Sequence, residues 1–488
     1  MRFCLPALAA VFVAACGPSG DNGPVEVAIV GQPENLFETG VRLSPAAQHI
    51  RGATVEGLVA LDPAGQIVPA IAERWIVTDD GLSYIFRLRA SDWPDGQPIT
   101  AVDIRDLLRA QIARLEGTSL GLDIAKVTDI RAMAGRVVEL RLSSPMPEFL
   151  RLLAQPELGL VRSGAGSGPM VLAREGESAV ARLIAIPPEE RGLPAREDWQ
   201  ELARPLTVRA MPTEMAVEAF SNGDIDLLMN GRLSGFPLAE LGPLSRGAVQ
   251  VDPALGLFGL VFRSEDGVLA DRGRREALSL AIDRSALIEP FGLGGWQPTS
   301  WVVPPELFDL VPVRQDRWSE QSLAARRSVA AQRIAQWRAA QGRPAEIRVA
   351  LPPGPGSDLL FRQLARDWAT IGVTAIRVAP DEGPDLELRD RLARYSSPRW
   401  YLNQFNCELE IGLCSPTADA LVARSLGIRD PLAKQQTLAE AHAALIADEV
   451  FIPLGAPVRW SLVRGAIDAY VPNQWGLHPL FPLSQPTI

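Results

Sequence analysis

The stretch Ile347-Arg348-Val349-Ala350-Leu351-Pro352-Pro353-Gly354-Pro355-Gly356-Ser357-Asp358-Leu359-Leu360-Phe361-Arg362-Gln363-Leu364-Ala365-Arg366-Asp367-Trp368-Ala369-Thr370-Ile371-Gly372-Val373-Thr374-Ala375-Ile376-Arg377-Val378 decides the fold class. Residues 347–351 and 373–378 read as strands, and 358–371 reads as a helix. Strand, helix and strand in that order make a βαβ unit, so the sheet holds parallel strands. Immediately upstream, 321–341 predicts a long helix with apolar Leu323, Val329, Ile334 and Trp337. Further out, 274–288 and 432–447 read as helices and 451–454 as a strand. The run 256–262 (Gly-Leu-Phe-Gly-Leu-Val-Phe) is nearly all apolar, as a central buried strand should be.

The N-terminal part reads differently. Residues 25–30 alternate into a first strand, which Gln32-Pro33-Glu34-Asn35-Leu36 breaks. Residues 45–60 predict a helix. Asp79-Asp80-Gly81 between 75–77 and 84–88 is a hairpin signal. Thr100 caps a helix running to about Leu115, and 137–142 is a further strand. Residues 164–169 form a Gly/Ser-rich joint, 213–223 a helix and 224–228 a strand, and 471–477 a loop. No fixed-period repeat or heptad run occurs. Early hairpins, βα units in the middle and a returning tail predict an α/β binding protein with lobes and a cleft.

At 488 residues the chain is too long for one ordinary core. Its 47% hydrophobic and 22% charged residues are globular values. A net charge of −10 argues against nucleic acid as a partner, because phosphate binding needs a basic face. Lysine occurs only at 126 and 434, with arginine elsewhere, which reads as codon bias. Arg2 and the apolar run from Leu5 to Ala15 predict a signal peptide over 1–15, since the run is too short to span a bilayer. Val13-Ala14-Ala15-Cys16-Gly17 resembles a lipobox, which makes Cys16 the lipidated residue and 16–24 a tether holding the protein to a membrane in the periplasm or cell envelope. In that compartment Cys407 and Cys414 are expected to bond to each other. Two free thiols or half a metal site are the alternatives, and no histidine lies near the pair in sequence. No cofactor or metal is called for.

Several segments together resemble the peptide/nickel-type solute-binding proteins of ABC importers, the bacterial extracellular solute-binding family 5. They are Glu56-Gly57-Leu58-Val59 with Asp62 and Gly65; Pro69-Ala70-Ile71-Ala72-Glu73-Arg74-Trp75; Asp80-Gly81-Leu82-Ser83-Tyr84-Ile85-Phe86-Arg87-Leu88-Arg89; and Trp93-Pro94-Asp95-Gly96-Gln97-Pro98-Ile99-Thr100-Ala101. Gly166-Ser167-Gly168-Pro169, Asn222-Gly223-Asp224-Ile225-Asp226 and Ala277-Leu278-Ser279-Leu280-Ala281-Ile282-Asp283-Arg284 continue the series. The resemblance implies a periplasmic-binding-protein-like α/β fold with two main lobes, a hinge and a smaller inserted lobe. Lobe I is expected at 25–49, 156–262 and 459–488, the inserted lobe at 50–155 and lobe II at 263–458, with the hinge near Phe262 and Pro457. It implies a monomeric, non-enzymatic ligand trap for a peptide or other small molecule, working with ABC permease subunits.

In peptide-binding members of that family a segment of the type A-D-Y-x-D-P-x-x-F-L lines the cleft, and its first Asp pairs with the peptide ammonium. The matching segment here is Ala393-Arg394-Tyr395-Ser396-Ser397-Pro398-Arg399-Trp400-Tyr401-Leu402, with Arg394 where the acid is expected. Arginine there would repel an ammonium and suit a carboxylate or phosphate, so the expected cargo is not an ordinary free peptide and carries an anionic group. The competing reading is that Arg394 closes a salt bridge with Asp390 or another neighbouring acid. By the same correspondence Asn35, Leu36, Phe262, Arg263, Tyr395, Trp400, Tyr401, Asn403 and Trp475 are candidate ligand contacts, each with core packing as its alternative. The sequence holds no Gly-x-Ser-x-Gly, no His-Glu-x-x-His and no Gly-rich phosphate loop, and its three histidines are far apart, which argues against an enzyme. A ligand-sensing or surface lipoprotein uncoupled from transport is the alternative function.

Overall fold

The βαβ unit forms as Ala345–Ala350, Pro355–Ala369 and Val373–Val378, its strands parallel from Ala345↔Val373 to Ala350↔Val378. This computed structural model describes residues 23–174, 179–239, 247–312, 318, 320–465, 467 and 469–485. The expected signal peptide, Cys16 and all but the end of the tether lie outside them. The unit belongs to a five-stranded mixed sheet in the order Val373–Val378, Ala345–Ala350, Leu386–Leu392, Gly256–Phe262, Phe451–Gly455. Residues 257–262 are all buried, as an apolar run covered on both faces must be.

A second sheet has seven strands in the order Met170–Arg174, Val180–Ala185, Leu206–Met211, Val25–Val30, Leu227–Arg232, Arg459–Val463, Val249–Asp252. The strand Val25–Val30 lies in its middle, parallel to both neighbours. A third, antiparallel sheet joins Ala72–Val77, Ser83–Leu88, Val137–Leu142 and Val127–Met133. Its hairpin turns at Gly81 (φ 65°), where glycine tolerates the left-handed backbone. The helix Ala101–Arg114 packs on this sheet, and Thr100 and Asp103 close the capping box at its start.

The chain passes between the two large sheets twice, through 253–255 and through 456–458. The outward crossing therefore lies upstream of Phe262, and Gly256–Phe262 is a strand of the five-stranded sheet. Gly256 marks the place: its φ is 151°, and a Cβ there would lie 2.0 Å from the Arg391 carbonyl. The return crossing contains Pro457. Asp252, just before the outward crossing, accepts from Asn473 N at 3.0 Å and contacts His478 at 3.1 Å, tying the C-terminal loop to it.

Three local expectations shift. The helix read at 45–60 stops as Pro45–Thr54. Glu56, Gly57 and Leu58 instead give their carbonyls to Leu160, Ile71 and Ala72, which holds them extended. The strand read at 224–228 forms as Leu227–Arg232, because Gly223 (φ 89°) and Asp224 close the preceding helix onto Ala219 and Phe220. The helix read at 274–288 forms as Arg272–Ala281. Asp271 caps its start, and Ile282 turns extended where Asp283 N donates to Asp367 at 3.0 Å.

The residues around the four-stranded sheet and those around helix Pro398–Asn403 share one hydrophobic core. Leu120 and Ile124 join Tyr395, Trp400, Tyr401 and Phe405 in a single buried cluster. Each such large side chain contributes about 2 kcal/mol on burial. Polar contacts seal the same seam. The two lysines of the chain meet there: Lys126 Nζ donates to Ser144 at 2.9 Å and Pro145 O at 3.3 Å, and Lys434 Nζ donates to Pro145 O at 2.8 Å. Burial, then the neighbouring Lys434, lowers the Lys126 amine to about 6. Cys407 and Cys414 form a disulfide in the loop after helix Pro398–Asn403.

Candidate functional site

Between the two large sheets lies a cavity of about 460 Å³, inside the range of roughly 300–1,000 Å³ usual for small-molecule sites. One wall is the end of strand Leu386–Leu392 and its continuation to Arg394. Facing it are Asn230 and Arg232 from strand Leu227–Arg232, and Arg459 beside them. Helix Pro45–Thr54 adds Gln48 and His49, and Trp400 and Trp475 close the sides.

The lining is cationic. Six arginines (151, 232, 389, 391, 394 and 459) line the cavity, against the acids Glu387 and Asp390. Three of the six are already engaged. Arg394 makes a two-pronged pair with Glu157, Nη1 to Oε2 and Nη2 to Oε1, both at 2.9 Å. Glu157 is fully buried and also takes Gln48 at 2.9 Å. Burial alone would raise its carboxyl, but Arg394 outweighs that and holds it below the usual range. Arg459 Nη1 reaches both oxygens of Asp390, at 2.8 and 3.0 Å. Arg151 donates to Gly65 O at 2.7 Å and lies 4.0 Å over the Trp475 ring, a cation–π contact.

Arg232, Arg389 and Arg391 make no side-chain hydrogen bond or ion pair among the described residues. Burial lowers the Arg389 guanidinium to about 10, and neighbouring Arg391 adds to the shift. Arg391 shifts down by desolvation and then by Arg394, and Arg232 by desolvation and then by Arg459 and Arg391, with Asp390 opposing the shift in both. Arg391 is exposed, and it borders the cavity.

Two further groups give the wall polarity. His49 Nδ1 lies 2.7 Å from Pro45 O, a carbonyl that can only accept, so Nδ1 carries the proton and Nε2 is an acceptor. Burial holds that ring neutral, with a pKa lowered to about 4. Asn230 adopts φ 64° at a bulge between Leu228 and Gly231, and its Nδ2 donates to Val30 O at 3.0 Å. A non-glycine residue in that conformation is the kind of local strain that gathers at binding sites.

Of the ten residues singled out from the sequence, Arg394, Trp400 and Trp475 border the cavity. The other seven do not. Leu36 and Phe262 are completely buried in separate cores. Asn35 sits in the turn Pro33–Phe37, and its carbonyl accepts from Ser44. Arg263 faces Glu387 at 3.5 Å and donates to Ile411 O. Tyr395 and Asn403 bind one buried acid, Asp123, at 2.9 and 2.7 Å. Tyr401 packs edge-on against Trp400. These are seam and core contacts, which the sequence frame around Arg394 does not separate from cavity contacts. Arg394 closes a salt bridge, as the competing reading expected, but with Glu157 rather than Asp390, which pairs with Arg459.

The residues missed include Arg151, Arg232, Arg389, Arg391, Arg459, His49 and Asn230. A signal for two of them was present: Arg389 and Arg391 fall on one face of a strand, just ahead of the cleft segment.

Comparison with known proteins places this architecture. The sequence profile described as "Bacterial extracellular solute-binding proteins, family 5 Middle" matches residues 66–394. The chain is 22% identical to the periplasmic oligopeptide-binding protein OppA of Salmonella typhimurium, over 85% of this chain and 84% of that one. It is 26% identical to the probable deoxycholate-binding periplasmic protein YgiS of Escherichia coli, over 56% of each. The crystal structure of Haemophilus influenzae OppA with the peptide RPPGFSPFR superposes with a TM-score of 0.78 at 18% identity, covering 95% of this chain and 99% of that one. A multi-lobed α/β fold with a cavity between its sheets, and a profile match over more than half the chain, make this protein a member of the bacterial extracellular solute-binding proteins, family 5.

Proposed function

We propose that this chain is a monomeric, lipid-anchored envelope protein that captures a small anionic solute and delivers it to the permease of an ABC importer. It binds and releases and does no chemistry. The relatives above are named for oligopeptides and for deoxycholate, so membership does not decide the cargo and the lining must. The observation that carries the anionic reading is the excess of arginine over acid in the cavity. In a partly desolvated cleft a guanidinium repels an ammonium and attracts carboxylate or phosphate. Arg394, the residue that first suggested an anion, supports the reading only indirectly, because its charge is met by Glu157.

Thermal shift against panels of anionic, neutral and cationic small molecules tests the cargo class, since a true ligand raises apparent stability with the logarithm of its concentration over Kd. Anions should raise the melting temperature. Stabilisation by unmodified di- or oligopeptides, equal before and after N-acetylation and without any response to anions, would refute the reading. Uptake of the responding solute should fall in a host strain lacking the protein.

A further inference from the structure

The arginines of the cavity differ in kind, and the difference carries a narrower conclusion. Arg394, Arg459 and Arg151 are each satisfied by the protein. Arg232, Arg389 and Arg391 are not, and each stands close enough to another arginine for repulsion to weaken its charge. Like charges gathered with only Glu387 and Asp390 beside them oppose folding and closure. Glu387 cannot balance them fully, because it also faces Arg263 from outside the cavity. Asp390 is held by Arg459. A zwitterion cancels none of this excess, and a single negative charge cancels only part of it.

The placement matters as much as the number. Arg389 and Arg391 are two residues apart on one face of strand Leu386–Leu392, so their Cα atoms lie about 7 Å apart. Arg232 ends a strand of the other large sheet. The three arginines therefore line one cavity from strands of both large sheets. Guanidinium forks suit planar or tetrahedral oxyanions and can engage each with paired hydrogen bonds.

We propose that the ligand of this cavity carries at least two anionic groups, held together by Arg232, Arg389 and Arg391, so that its charge also draws the two sheets closed over it. This rests on the solute-capture reading and narrows its ligand class. Either a polycarboxylate or a phosphorylated compound would supply the shared chemistry.

Titration calorimetry and thermal shift on the full-length mature protein, with citrate, pyrophosphate, acetate and trialanine as probes, separate the possibilities. Citrate or pyrophosphate should stabilise the protein and acetate and trialanine should not; which of the two responds tells carboxylate from phosphoryl. Arg391→Gln should weaken the responding probe on the order of tenfold to a hundredfold, the scale of one charge-assisted hydrogen bond. The same variant should melt at an equal or higher temperature without ligand, because one repelling charge is gone, and that outcome rules out misfolding as the cause. Arg391→Lys should retain part of the affinity. Tight binding of trialanine with no competition by either polyanion would overturn the proposal while leaving solute capture intact. So would an Arg391→Gln affinity within twofold of the parent. If native mass spectrometry of protein purified from its host shows no bound small molecule, and no probe of any charge binds, the capture reading fails and the proposal fails with it.

Discussion

Replacing Lys126 by methionine should stabilise this protein, and the gain should depend on pH in a defined way. Lys126 is 5% exposed, and burial followed by the charge of Lys434 lowers its amine from 10.5 to about 6. In the unfolded chain the amine binds its proton up to about pH 10.5, whereas in the folded chain it gives the proton up above about 6. Between those values the unfolded state holds the extra proton, so stability rises with pH by about 1.4 kcal/mol per unit. Below about 6 both states are protonated and the slope from this group vanishes. From pH 7.5 to 9 the gain should be about 2 kcal/mol. The other lysine of the chain, Lys434, is lowered by burial too and adds to the slope with the same sign, so the part that Lys126→Met removes is the part that belongs to Lys126. Burial raises all four tyrosines, and Cys407 and Cys414 are bonded to each other. Urea unfolding at a series of pH values, followed by tryptophan fluorescence, gives the slope. In Lys126→Met the slope should flatten, and the variant should exceed the parent most at pH 7.5. A parent stability that is flat across the window, or a methionine variant less stable than the parent at pH 7.5, would show that the buried amine keeps its proton and that the argument is wrong.

Three other outcomes follow from the same contacts. Arg394→Met leaves Glu157 buried without its cation and should cost about 3 kcal/mol at neutral pH. Denaturant unfolding should show this, with the loss shrinking as pH falls and Glu157, raised by burial once Arg394 is gone, takes up its proton in the folded variant. Its effect on affinity for the responding anion should be smaller than that of Arg391→Gln, and calorimetry on the two variants makes the comparison. Opening the Cys407–Cys414 loop with Cys407→Ser and Cys414→Ser together should cost about 2 kcal/mol by the chain-entropy account, and intact mass before and after reduction should differ in the parent alone.

What the sequence made legible was local. The βαβ unit, the Asp80-Gly81 hairpin, the Thr100 capping box and the apolar strand at 256–262 each follow from spacing within a few residues. The multi-lobed fold followed from short motifs in a fixed order. The lining of the cavity followed from neither. Arg394 and Glu157 are 237 positions apart, and Tyr395 and Asp123 are 272 apart. A correctly placed frame does not fix which of its side chains meet the cavity, so Trp400 borders it while Tyr395 and Asn403 lock the seam on Asp123. Composition also hid the answer. Where arginine replaces lysine almost everywhere, the alternating spacing of Arg389 and Arg391 stands out little, and it is the lack of a hydrogen-bond or ion-pair partner among the described residues that distinguishes them.

The same geometry explains why a cationic wall sits at this point of the fold. Gly256 ends the outward crossing, and its backbone lies so close to Arg391 that no side chain would fit between them. Leu257 pairs with Arg391, and Gly259 with Arg389, across the adjoining ladder. The strand that carries the free arginines is thus hydrogen-bonded to the strand on which the chain enters the second sheet. Arg459, on the first strand after the return crossing, reaches over to Asp390 of the same arginine-bearing strand. Any rotation between the two sheets must therefore move Arg389 and Arg391 relative to Arg232. Without an anion, closure brings those charges together and is opposed by their repulsion. With one, the repulsion becomes attraction on both sides of the cleft, so the charge that selects the ligand is also the charge that favours the closed form.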